Sequence, residues 1–170
     1  SSGAHGGSIY SYYSDFLTIQ NVHFYDTHTG FMNCYGNNIE ISNSTFDRGS
    51  VSSYYAGMYI YGGYEHVVRD NVVTTFNIGI NTYYDTYGSY YYNNYVHNNT
   101  GNGMYMYYSS STSYPTDPTR IVKNKFVDNN NGLYRGDSSS NYGRYVDLRD
   151  NILKSNSNYG VYCWYYCQDW

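Results

Sequence analysis

The sequence predicts an all-β solenoid, a chain of short strands wound into coils that stack along one axis. Two repeated motifs and an unusual composition carry this expectation. A glycine followed by an apolar residue and a short aromatic-rich run recurs along the chain, and an apolar pair around a polar residue precedes each copy. Charged residues are only 13% of the chain, while 28 tyrosines lift the aromatic share to 21%. A disordered segment would be poor in aromatics, and a helical bundle would be rich in Ala, Leu, Glu and Lys. Tyr, Val, Ile and Thr broken by Asn, Gly and Ser clusters read instead as strands and turns.

Taken in order, "GGSIYSYY" from Gly6 starts a partial first coil (residues 1–29) whose register runs one residue late. "LTIQNVHF" then leads to "GFMNC" at Gly30, and "IEISNSTF" to "GMYIY" at Gly57. "VVRDNVV" leads to "GINTY" at Gly79, and "YYYNNYV" to "GMYMY" at Gly103. "RIVKNKF" precedes "GLYRG" at Gly132, and "VDLRDNIL" precedes "GVYCW" at Gly160. The glycines are 27, 22, 24, 29 and 28 residues apart. From the last apolar anchor (Phe24, Val73, Val96, Phe126, Leu153) to the next glycine is six or seven residues, and only Phe46 to Gly57 is longer, at eleven, which places a loop insertion at "RGSVSSYYA". A unit of this size cannot bury its own apolar face and must stack on its neighbours. Residues 1–170 therefore read as one domain of about six to seven coils, full from residue 30 onward.

Alternation along a strand assigns the faces. One residue after each glycine, Phe31, Met58, Ile80, Met104, Leu133 and Val161 point inward. Two after, Met32, Tyr59, Asn81, Tyr105, Tyr134 and Tyr162 point outward, and four after, so do Tyr61, Tyr83, Tyr107 and Trp164. This aromatic face has three readings: sheet stabilisation by cross-strand pairs, sugar stacking, and packing against another subunit. Asn71, Asn94, Asn124 and Asn151 fall at one equivalent corner, and Asn99, Asn129 and Asn156 at another. Asparagine tolerates left-handed backbone at turns, and stacked amides can hydrogen-bond along the axis.

The Asn-anchored apolar pairs followed by "N…G" and an apolar residue resemble the right-handed parallel β-helix repeat of the pectate-lyase-like superfamily. "VVRDNVVTTFNIGI", "RIVKNKFVDNNNGLY" and "VDLRDNILKSNSNYGVY" are the clearest copies, and the resemblance spans residues 6–165. It implies a right-handed parallel β-helix and a family of lyases, hydrolases, tailspikes, adhesins and non-catalytic surface proteins. Its enzymes combine carboxylate clusters, often with calcium, and a basic residue, or use two or three close aspartates. Here Asp70 and Asp150 share a corner, but Asn93 and Lys123 fill the positions between them, so they stand some three coils (about 14 Å) apart. No catalytic motif carries over, and neither a metal-ligand spacing nor a cofactor motif is present.

The net charge of −4 and nine scattered Lys and Arg give no basic face for nucleic acid. No apolar run approaches the roughly 20 residues of a membrane span. Sparse charge, with the habitat common to the superfamily, points to an extracellular or cell-surface protein, where the sequons at Asn43 and Asn98 would be glycosylation sites. Cys163 and Cys167 are candidates for a disulfide if "WYY" bends, Cys34 is the alternative partner across subunits, and three free thiols are the plain reading. Neither end shows an amphipathic capping helix. Open ends favour head-to-tail self-association into filaments, unless the chain is one segment of a larger protein. The leading expectation is a non-catalytic structural protein, with a polysaccharide lyase or hydrolase, or a glycan-binding adhesin or tailspike module, as alternatives.

Overall fold

The structure is a computed structural model and describes residues 8–49, 55–84, 88–107, 118–136 and 146–164. Its strands repeat in threes. The first coil holds β1 (Ile9–Tyr12), β2 (Thr18–Gln20) and β3 (His23–Tyr25), and the second β4 (Phe31–Cys34), β5 (Glu40–Ser42) and β6 (Thr45–Asp47). β7 (Ala56–Tyr61), β8 (Val67–Arg69) and β9 (Val72–Thr74) make the third, and β10 (Ile78–Tyr83), β11 (Tyr90–Tyr92) and β12 (Tyr95–His97) the fourth. The fifth is β13 (Asn102–Tyr107), β14 (Thr119–Val122) and β15 (Lys125–Val127), and the sixth β16 (Asn131–Gly136), β17 (Val146–Arg149) and β18 (Ile152–Lys154). β19 (Tyr159–Trp164) adds one further rung. Every strand pairs in parallel with its counterpart one coil away, giving sheets of seven, six and six strands. The opening unit, expected as a partial coil, supplies a strand to each sheet.

The glycines stand in file. Phe31 pairs with Met58, Met58 with Ile80, Ile80 with Met104, Met104 with Leu133 and Leu133 with Val161. Ile9 pairs with Phe31, so Ser8 rather than Gly7 heads the column, the one-residue offset read from the sequence. A β-carbon on Gly30, Gly57, Gly79, Gly103 or Gly132 would stand 2.5–2.9 Å from the carbonyl oxygen of the next glycine in the column. Close approach of backbone to backbone, not φ, is what demands glycine here.

Inward residues form continuous apolar columns. Phe31, Met58, Ile80, Met104 and Leu133 are buried beneath the first sheet, and Ile19, Ile41, Val68, Tyr91 and Ile121 beneath the second. Beneath the third lie the buried anchors Phe24, Phe46, Val73, Val96 and Phe126, with Phe24 and Phe46 stacked at 4.6 Å. Val161, inward in the same column as Leu133, is 37% exposed on the outermost rung.

Single left-handed residues turn the corners. Asn21, Asn43, Asp70, Asn93, Lys123 and Asp150, between second- and third-sheet strands, all have φ between 48° and 58°. The sequence reading assigned that role to the ladder asparagines, and the structure moves it one residue earlier. Asn71, Asn94, Asn124 and Asn151 keep ordinary backbone and turn their amides into the wall. In both ladders each backbone N–H and side-chain NH2 donates to the Oδ1 of the asparagine in the next coil. Nδ2 to Oδ1 is 3.0 Å for Asn71 to Asn94, 2.9 Å for Asn94 to Asn124 and 3.1 Å for Asn124 to Asn151. The second ladder, Asn99 to Asn129 to Asn156, repeats this at 2.9 and 3.2 Å. The remaining amide hydrogen of a ladder asparagine reaches back one coil, as from Asn94 to the Val68 carbonyl at 2.8 Å. Ser44 heads the first ladder, its N–H donating to Asn71 Oδ1 and its Oγ accepting from Val22 N.

Removing one ladder amide strands buried donors on the coil before it and the Val68 carbonyl. Asn94→Ala should therefore lower the unfolding free energy by about 3 kcal/mol, taking about 1–3 kcal/mol per orphaned buried group. Gly103→Ala should cost about 1–3 kcal/mol by forcing adjacent backbones apart. Urea unfolding followed by circular dichroism measures both, and a variant as stable as the parent would contradict the ladder or the close approach.

Candidate functional site

The outer face of the first sheet carries two parallel columns. One runs Tyr10, Met32, Tyr59, Asn81, Tyr105, Tyr134, Tyr162, and the other Tyr12, Cys34, Tyr61, Tyr83, Tyr107, Gly136, Trp164. Residues that alternate outward on one strand meet their counterparts one strand spacing away, so phenol rings must stack along the axis. Tyr61 and Tyr83 lie 5.1 Å apart at 11°, and Tyr83 and Tyr107 4.7 Å apart at 15°. Tyr105 and Tyr134 are 5.2 Å apart, and Tyr134 and Tyr162 4.8 Å. The side chain of Trp164 lies outside the described residues.

A third file, Tyr13, Tyr35, Gly62 and Tyr84, turns the corner beside this face with positive φ throughout. Tyr35 and Tyr84 meet the ring of Tyr61 edge-on at 5.0 and 5.4 Å. Gly62 gives Tyr35 room, because a β-carbon there would stand 3.0 Å from the Tyr35 ring. Sequence alternation does not reveal this file, since a left-handed turn residue lies outside any strand period.

These contacts hold the phenols protonated. A hydrogen bond with Tyr35, with burial and neighbouring phenols, pushes Tyr61 well above the ordinary range. Burial does most of the same to Tyr83, with a hydrogen bond to Tyr84, and burial also raises Tyr59 and Tyr134. The predicted face residues Tyr59, Tyr61, Tyr83, Tyr105, Tyr107, Tyr134 and Tyr162 thus share one surface, half-buried against each other. Within the columns, rings lie on both sides of Tyr83 and Tyr134 and on one side of Tyr61, Tyr105, Tyr107 and Tyr162, while Tyr59 lies between Met32 and Asn81.

The polar candidates are tied up locally. Arg69 bonds Glu40 and Asp70 at 2.8 Å each, and Asn93 Nδ2 donates to Asp70 at 2.6 Å. The Asn93 amide, then Arg69, hold the Asp70 carboxyl below its ordinary value, which suits an anion in a salt link rather than a proton donor. Asp70 and Asp150 occupy one corner column with Asn93 and Lys123 between them. Among the described residues no group of three or more His, Cys, Asp or Glu gathers as a metal site. Cys34 is a free thiol between Tyr12 and Tyr61, Cys163 is disulfide-bonded, and Cys167 lies outside the described residues. Asn43 and Asn98 are exposed on left-handed corners.

Sequence reasoning missed His66. It is fully buried, its Nδ1 accepting from Ile39 N at 3.4 Å and its Nε2 facing the Gly62 carbonyl at 3.2 Å, which sets the ring proton on Nε2. It missed a further amide pair too, Asn131 Nδ2 donating to Asn102 Oδ1 at 2.8 Å. The Asn-Gly dipeptides at 102 and 131 were the available signal.

Parallel sheets, in-file glycines and amide ladders together describe a β-helix, and the sequence model of the right-handed beta helix region family matches residues 5–169. The chain belongs to that family. No curated protein matches it in sequence. As a right-handed β-helix it has no helix long and apolar enough to cross a membrane among its described residues.

Two titrations bound the stability plateau of this β-helix. The stacked phenols have raised folded values, so their stabilisation is complete below the ordinary value of 10.0 and is lost as pH rises past it. His97, stacked on Tyr95 at 4.2 Å, is pushed below its ordinary 6.5 by burial, opposed by Asp128 and Asp47. Its contribution is complete above 6.5 and is lost as pH falls. Thermal melts across pH should show both limbs, with the acid limb shallower in His97→Gln. Phenolate absorbance should show Tyr61 ionising earlier in Tyr35→Phe.

Proposed function

We propose that this β-helix is a non-catalytic extracellular structural protein that assembles into a filament or surface layer through its end coils and its tyrosine face. The observation that carries the reading is where large apolar side chains are exposed. Ile9, Tyr10, Tyr12, Tyr13, Phe16 and Tyr25 crowd the first coil, and Ile152, Tyr159 and Val161 the last strands. Among the described residues the four coils between expose Tyr35, Tyr55, Tyr64 and Tyr95. Apolar surface concentrated in this way marks contact with another protein. The paired Arg69, Glu40 and Asp70 argue against the lyase or hydrolase reading, because each charge already has a partner.

The tyrosine face supports subunit packing over sugar stacking. A pyranose packs on the face of an aromatic ring, and here Tyr83 and Tyr134 turn both faces, and Tyr61, Tyr105, Tyr107 and Tyr162 one face, to neighbouring tyrosines. Edges and hydroxyls remain, which suit hydrogen bonds and edge-to-face contacts with another aromatic surface. Sparse charge and the sequons at Asn43 and Asn98 on exposed corners support the extracellular reading.

Negative-stain electron microscopy of the purified protein at neutral pH should show regular fibres or sheets. A protein that sediments as a monomer at every concentration tested would remove this reading. Retention on a glycan array, lost in Tyr105→Ala with the fold intact, would favour the adhesin instead.

A further inference from the structure

The tyrosines of the first sheet and its corner touch one another from the first rung to the last. Tyr13 is 65% exposed, and ring centroids follow from it at 5.3 Å to Tyr35, 5.0 Å to Tyr61, 5.1 Å to Tyr83 and 4.7 Å to Tyr107. Gly136 ends that column, and the series crosses at 6.0 Å to Tyr105 on the same strand. It continues at 5.2 Å to Tyr134, 4.8 Å to Tyr162 and 4.8 Å to Tyr159, which is 45% exposed. Nine rings thus form one series, with an exposed member at each end and no centroid separation above 6.0 Å. It spans six strand spacings, about 29 Å. Neither outward column holds a charged residue, so no fixed charge within them favours one phenol over the next.

Electron exchange between two aromatic rings falls steeply with the gap between them. Rings in contact therefore pass a charge stepwise over a length that no single step would cross. We propose that this tyrosine series is a path for oxidising equivalents, which enter from a one-electron oxidant at Tyr13 and leave at Tyr159. Each step is an exchange between equals. The phenoxyl radical of one tyrosine takes an electron and a proton from the next phenol, so that Tyr–O• and HO–Tyr become Tyr–OH and •O–Tyr. The electron moves with its proton because these phenols are held protonated, and hydrogen bonds between Tyr61 and Tyr35 and between Tyr83 and Tyr84 keep protons on the face. A high-valent haem oxidant of the peroxidase class starts the sequence by taking one electron from Tyr13, whose proton goes to water. A thiol ends it by giving a hydrogen atom to the Tyr159 radical, which leaves a phenol and a thiyl radical. The path narrows twice. In the fourth coil Asn81 interrupts the column between Tyr59 and Tyr105, so among the described residues Tyr83, with Tyr84 beside it at 4.5 Å, links the third coil to the fifth. In the sixth coil Gly136 leaves Tyr134 as the outward ring of its strand.

A ruthenium photo-oxidant attached through Ser14→Cys, beside Tyr13, tests the path in the full chain, with Cys34→Ser so that position 34 takes no label. Flash oxidation in dilute solution with a nitroso spin trap, followed by peptide mapping, should place adducts on Tyr159 as well as on Tyr13. Tyr83→Phe/Tyr84→Phe should lower the Tyr159 share about tenfold, because the step across the fourth coil then spans two strand spacings, about 10 Å. Tyr134→Phe should act alike one coil further on, and Tyr95→Phe, on the third sheet, should change nothing. Asn81→Tyr added to the Tyr83/Tyr84 variant fills the broken column and should restore the yield, which a purely structural face would not do. Circular dichroism checks that each variant is folded, and if one break unfolds the chain the other decides. No adduct on Tyr159 in the parent, or a share that a folded break leaves intact, overturns the path. The measurement lies within one chain, so its result is separate from that of the filament reading.

Discussion

A parallel coil stacked at one strand spacing finds partners for its buried polar groups chiefly in the coils directly above and below. Partners within the same coil are short-range, such as the Gly62 carbonyl for His66 and the His97 carbonyl for Asn99, because the interior is filled with apolar columns. The asparagine ladders satisfy this constraint. One amide meets three demands: its oxygen takes the N–H of the preceding coil, and its NH2 donates both forward and back. That arrangement offsets a real cost. Seventeen non-glycine residues among those described have positive φ, each disfavoured by about 1 kcal/mol or more. Corners so strained persist only where the surrounding hydrogen bonds over-determine them.

The tyrosine face follows from the same spacing. Rings on outward positions are brought to 4.7–5.2 Å whether or not they have another role, and they bury one another's faces. Offset stacks of this kind contribute about 0.5–1.5 kcal/mol beyond their buried area. Where the column is broken, by Asn81 between Tyr59 and Tyr105 or Cys34 between Tyr12 and Tyr61, the stack stops. The face is therefore first a structural device, continuous only where tyrosine follows tyrosine along a column.

Much of this was legible because a solenoid repeats its signals. Six glycines with apolar and aromatic successors fixed the file, and the alternation after each fixed which side chains point in. The asparagine columns were also visible, since an Asn returning at one corner in four coils is a periodic signal. What the periodicity could not convey was the backbone state of single residues. Asp70, Asn93, Lys123 and Asp150 share a left-handed conformation but not a chemistry, so their common role is hidden in a sequence while that of Asn71, Asn94, Asn124 and Asn151 is plain. His66 was missed for a related reason. Its column reads Ile39, His66, Ser89, Thr119, and only the three-dimensional path shows that one imidazole there serves both the Ile39 N–H and the Gly62 carbonyl.

The corners also differ systematically along the axis. Early coils fill them with apolar or hydroxyl side chains: Val22 and Ser44 in one column, Thr27 and Phe76 in the other. Later coils use asparagine in both. An apolar or aromatic corner adds buried area and has no direction, whereas an amide corner binds tightly only to a coil that presents an oxygen. The two ends are thus chemically unlike, one rich in exposed rings with a buried hydroxyl, the other carrying amide donors. That polarity lies in the side chains themselves, independently of the parallel course of the strands.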